Sequence, residues 1–126
     1  MSASAGSTES IHLPRGFSFS AVAAGIKASG RLDLALAEAA PGTTAAAMFT
    51  KNRVIAAPVE IGRKHLRATR AHLRAVIVNS GNANCATGKA GLNRCVRVCR
   101  ETARLLGAGG LVPAPDVILG AMLPLQ

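Results

Sequence analysis

Residues 79–88, Asn79-Ser80-Gly81-Asn82-Ala83-Asn84-Cys85-Ala86-Thr87-Gly88, gather the side chains best suited to a polar ligand. They follow the apolar run Ala75-Val76-Ile77-Val78 and lead into Lys89 and a helical pattern. A strand, a glycine-bearing turn and a helix form the arrangement that receives phosphate at a helix N-terminus. The spacing is neither GxxxxGK[ST] nor GxGxxG, and Gly88-Lys89 lacks an upstream glycine at the required distance. The plainer reading is a tight turn whose asparagines bond their own backbone and accept positive φ.

Cysteine is the second source of chemistry. Cys95 and Cys99 stand at i and i+4, a spacing that can begin a metal site on a helix. No His or Cys stands at a complementary spacing, because His65 and His72 belong to another basic segment and His12 is isolated. Small buried apolar residues are the better reading, and no metal is expected. Cys85 lies in the polar loop, but a nucleophilic cysteine needs a nearby base and the sequence offers none. An odd set of three cysteines without a CxxC pair fits a reducing compartment.

Arginine supplies the third group. Fifteen Lys+Arg against six Asp+Glu give a net charge of +9. One basic face collects Arg63, Lys64, Arg67, Arg70 and Arg74, and a second collects Arg94, Arg97, Arg100 and Arg104. Such faces could contact phosphates. The chain has no Trp and no Tyr, so it offers no aromatic stacking platform, and it carries no zinc pattern or convincing helix-turn-helix. Nucleic acid is therefore disfavoured, and a non-catalytic basic module binding anions or RNA stays as the alternative function.

These groups need elements to position them. Residues 1–13 read as a disordered tail, and 14–126 as one domain or part of one. The stretch 16–23 partly alternates and reads as a strand, and 24–30 suits a hairpin-like turn. Residues 32–37 fit a strand or a helix start. Two further apolar runs follow at 45–50 and 54–61, the second interrupted by Pro58, which suggests an edge or a kink. Helical spacing marks 63–73, a buried strand 75–78, and the clearest helix 90–106. The apolar face of that helix is Cys95, Val98, Cys99, Thr102 and Leu106, and Gly107 stops it. Residues 117–119 could add a strand. Strands followed by helices without strict alternation fit an α/β or α+β layered domain.

The core material is thin. The chain is 49% hydrophobic but only 2% aromatic, and much of the apolar content is alanine. At about 25 cal/mol per Å² such a core is weak for its length, which suggests reliance on a partner or on further sequence. The N-terminus lacks a basic n-region and an apolar h-region, and no run approaches a membrane span. The expected location is cytoplasmic.

Four stretches, taken in order, resemble a known family. They are Pro14-Arg15-Gly16-Phe17 with Val22-Ala23-Ala24-Gly25-Ile26-Lys27; Ser29-Gly30-Arg31-Leu32-Asp33-Leu34-Ala35-Leu36; Met48-Phe49-Thr50-Lys51-Asn52-Arg53-Val54 with Ala56-Ala57-Pro58-Val59; and Arg74-Ala75-Val76 through Val78-Asn79-Ser80-Gly81-Asn82-Ala83-Asn84 to Thr87-Gly88. Together they resemble the N-terminal, α-chain part of the ornithine acetyltransferase family, the bifunctional glutamate N-acetyltransferases of arginine biosynthesis. The resemblance implies an α+β layered fold and a precursor that cuts itself into α and β chains. It implies a threonine nucleophile at the new N-terminus of the β chain. That threonine takes acetyl from N-acetylornithine, or from acetyl-CoA as co-substrate in bifunctional members, and passes it to glutamate. The implied assembly is an α2β2 heterotetramer with no resident cofactor.

The same resemblance marks a departure. The family's oxyanion-hole Thr-Gly pair falls on Asp116 and Val117 here, ahead of Ile118-Leu119-Gly120 and Leu123-Pro124. A carboxylate at an oxyanion site repels the charge it should stabilise, and valine lacks glycine's backbone freedom. The family's nucleophile motif has no counterpart in these residues. The expectation is an incomplete N-terminal portion that is inactive by itself.

Overall fold

The structure, a computed structural model, describes residues 12–107 and 117–119. Its elements are β1 Phe17–Val22, β2 Leu34–Ala39, α1 Ala57–Ala68, β3 Ala75–Asn79, α2 Gly88–Leu105 and β4 Val117–Leu119. The four strands form one sheet in the order β1-β2-β3-β4. β1 pairs antiparallel with β2 and β2 antiparallel with β3, whereas β4 joins β3 in parallel. The parallel join follows from the connection, since α2 carries the chain back across the sheet before β4. The fold is α+β, as expected.

Cross-strand register sorts the side chains. Ser20, Leu36 and Ile77 share one face, and Phe19, Ala37 and Val76 share the other. The first face is the covered one. Ile77 and Ala75 join Ile61 and Ala57 of α1 and Cys95, Cys99 and Ala103 of α2 in the core, with Leu34 and Leu36 packed against it. β3 is therefore a near-continuous apolar run because its neighbours bury it on the helix side and β2 and β4 flank it.

Pro58 changes the reading of the run at 54–61. It stands in the first turn of α1, where a missing N–H costs no intrahelical bond and the fixed φ suits the helix. The helix thus begins well before residue 63 and ends at Ala68. Arg70 and Ala71 then take positive φ, 53° and 65°, as the backbone turns toward β3. Arg70 and Arg74 consequently leave the helical basic face. Arg74 instead donates to the Ala39 carbonyl at 3.0 Å and pairs with Glu38 at 3.1 Å. Residues 45–50 form no strand. Val98, assigned to the apolar face of α2, is 39% exposed, and Ala103 takes the buried place.

Candidate functional site

The polar loop leaves the end of β3 and enters α2, and its asparagines form a small network. Asn84 Nδ2 donates to Asn79 Oδ1 at 2.6 Å, and Asn82 Nδ2 lies 3.4 Å from Asn84 Oδ1. The Asn84 carbonyl accepts from the Ala57 amide at 3.3 Å, which ties the loop to the first turn of α1. Two glycines are required by close approach. A Cβ at Gly81, where φ is +97°, would lie 2.6 Å from the Lys27 side chain. A Cβ at Gly91 would lie 1.7 Å from Thr87 Oγ1.

Asp33 anchors the facing loop. It is only 3% exposed. Its carboxylate accepts from the amides of Ala24 at 2.6 Å, Ile26 at 2.6 Å and Lys27 at 2.8 Å. The Lys27 amide and then the Ala24 amide hold its pKa below the ordinary carboxylate range; burial opposes them, and the Ile26 amide and the Lys27 charge add to them. Its carbonyl accepts from the Ser80 amide at 2.8 Å, so one residue ties the 24–27 turn to the asparagine loop.

Between these loops and the helices lies a cavity of about 340 Å³. Asn82, Asn84, Thr87 and Arg94 give it a polar side, and Ile26, Leu34, Pro58 and Val98 an apolar one. Cys95 also lines it but is buried, and Cys99 is fully buried behind it. The Cys99 thiol and burial both push the Cys95 thiol far up, so it is no nucleophile at neutral pH. Cys85 is exposed in the loop. Among the described residues no group of His, Cys, Asp and Glu comes together as a metal site would require.

Asp116 lies outside the described residues. Val117 opens β4 level with Ala75, the first residue of β3, whereas the asparagine loop leaves from Asn79, its last. The structure therefore brings Asn79, Asn82, Asn84 and Arg94 together and sets the start of β4 at the other end of β3. Arg94 and Ile26 were not among the predicted site residues. Their sequence signals, one arginine in a basic helix and one isoleucine in a glycine-rich turn, resemble those of many solvated positions.

A model of the ArgJ family matches residues 18–123. The chain belongs to that family. It is 47% identical over 106 residues to the arginine biosynthesis bifunctional protein ArgJ of Gluconobacter oxydans, covering 84% of this chain and 24% of that protein. The ArgJ of Nitratidesulfovibrio vulgaris is 44% identical over 105 residues, covering 83% of this chain and 25% of that protein. The crystal structure of Mycobacterium tuberculosis ornithine acetyltransferase complexed with ornithine superposes with a TM-score of 0.76 at 43% identity, over 90% of this chain and 58% of that one. The chain spans about a quarter of the length of the curated relatives it matches. No described helix is long and apolar enough to cross a membrane.

Proposed function

We propose that this chain forms the N-terminal part of the α chain of an enzyme that moves acetyl from N-acetylornithine to glutamate in arginine biosynthesis. The observation that carries this reading is the family match over 18–123, which takes in the whole strand–loop–helix unit. The chemistry needs a nucleophile that holds the acetyl group between the two half-reactions, and a threonine in the remaining three-quarters of the protein fills that role. In the bifunctional form acetyl-CoA serves as a second acetyl donor. The α chain arises by self-cleavage and works in a cytoplasmic α2β2 heterotetramer.

The contribution of the present residues is architectural. The asparagine network fixes the turn from β3 into α2, and the Asn84–Ala57 bond fixes that turn to α1. Asp116 and Val117 occupy the family's Thr-Gly oxyanion positions, and a carboxylate there opposes the developing negative charge. Transfer by this chain alone is not expected.

The decisive experiment co-expresses the chain with the C-terminal remainder of a close relative and follows transfer of labelled acetyl from N-acetylornithine to glutamate. The isolated chain should give no transfer. The reconstituted protein should gain at least about a hundredfold from the D116T/V117G pair, the scale of one oxyanion donor. Transfer by the isolated chain, or a soluble reconstituted D116T/V117G protein with no transfer, would overturn the reading.

A further inference from the structure

Cys95 and Cys99 stand one turn apart on the buried face of α2. The proposed acetyl transfer makes no use of them. Their thiols lie within hydrogen-bonding reach of each other. Cys95 also forms part of the wall of the 340 Å³ cavity, which meets solvent at the exposed residues Asn82, Arg94 and Val98. A small molecule can therefore approach the pair from one side.

The helix decides what can join the two sulfurs. Side chains at i and i+4 have Cβ atoms about 5–6 Å apart. A disulfide needs them about 3.5–4.5 Å apart. The intact helix thus holds the pair too far apart for a direct S–S bond, and one larger atom between the sulfurs spans the difference. Trivalent arsenic is pyramidal. It takes two sulfurs on one side of itself and leaves its third bond for an organic group. A linear two-coordinate cation needs its sulfurs on opposite sides, which two neighbours on one helix face do not offer.

We propose that Cys95 and Cys99 form a dithiol site for organic trivalent arsenicals, with the organic group seated in the cavity against Ile26, Pro58 and Val98. The cavity is at the small end of ligand sites, which suits a single ring. The reacting species is an arsenous acid, R–As(OH)2. Two As–O bonds break, two As–S bonds form, and the two thiol protons leave with the hydroxyls as two waters. Arsenic stays trivalent, so no oxidant or reductant takes part. The departing hydroxyls carry the protons away, so the buried thiols need no prior ionisation. Cys85, exposed in the loop, can hold an arsenical by one bond only. The site is independent of acetyl transfer, so that assay leaves it standing.

The test adds phenylarsine oxide to the reduced 126-residue chain and follows intact mass and free thiols. One phenylarsenic group should remain in excess 2-mercaptoethanol, with two of the three thiols consumed and the adduct mapping to residues 95–99. Dithiothreitol, a competing dithiol, should remove it. C85S should bind as the parent does. C95A and C99A should each weaken retention by about a hundredfold or more, because the second As–S bond is intramolecular. V98F, which narrows the cavity from an exposed position, should slow uptake several-fold with the far-ultraviolet spectrum unchanged. Mapping and the C85S arm decide the matter even where an alanine variant fails to fold. Loss of retention in C85S, an adduct mapping to Cys85, unchanged retention in a folded C95A or C99A, uptake unaffected by V98F, or full reversal by the monothiol would each overturn the proposal.

Discussion

Asp33 shows how much one side chain can organise. Its carboxylate satisfies three amides of a turn that makes no strand pairing of its own, and its backbone carries the bond to Ser80. The depressed pKa fixes the sign of a pH effect. The stabilisation is fully present above the unfolded value, about 3.9, and is lost as pH falls through the lower folded value. D33N places an NH2 donor against amide donors, so its melting temperature should fall below that of the parent at pH 7. The two melting curves should converge as the pH drops below about 4. A gap that stays constant from neutral to acid pH would show that the charge is irrelevant. That residues 79–88 turn was legible from their Asn and Gly content, but positive φ falls on Gly81, Ala86 and Gly88 rather than on the asparagines, whose side chains bond one another. The role of Asp33 was not legible, because its partners are amides whose direction depends on how the 24–27 backbone folds.

At the scale of elements, α2 and β3 could be read directly, one from apolar spacing that ends at Gly107 and one from a β-branched run. The start of α1 could not, because Pro58 is equally at home in an edge strand and in a first helical turn, and only burial of Ala57 and Ile61 decides. Gly91 tests the packing at the start of α2. In an exposed helix interior a Gly→Ala change gains about 1 kcal/mol from propensity. Here the new methyl would collide with Thr87, so G91A should instead cost about 2 kcal/mol, an overpacking penalty. Thermal denaturation followed by circular dichroism measures this, and a rise in melting temperature would contradict it.

On the scale of the whole molecule, helices cover one face of the sheet, and among the described residues nothing covers the other. Phe19 is 50% exposed there and stacks with Phe17 at a centroid distance of 6.4 Å. Beside them Ala21, Ala35, Ala37, Val76 and Val78 line a shallow hollow. The thin, alanine-rich core anticipated from composition is matched by a core cluster of alanine, isoleucine and cysteine. Which face would stay open was not legible, because Leu34 and Leu36 on one face of β2 and Ala35, Ala37 and Ala39 on the other are all apolar, and only the pairing decides which set meets the helices. An exposed apolar sheet face should make the isolated chain associate. F19K should reduce association several-fold in sedimentation velocity while leaving the far-ultraviolet spectrum unchanged; association that persists unaltered would place the sticky surface elsewhere.

The basic residues and the open face lie on opposite sides of the sheet. Exposed Lys64, Arg67, Arg97 and Arg100 stand on the helices, and the open face of β1, β2 and β3 carries no charge. Ionic strength should therefore govern how readily the open faces meet. Salt screens the mutual repulsion of chains carrying +9, which brings their neutral faces together more readily. Buffer composition thus becomes a selector between a dispersed chain and a clustered one.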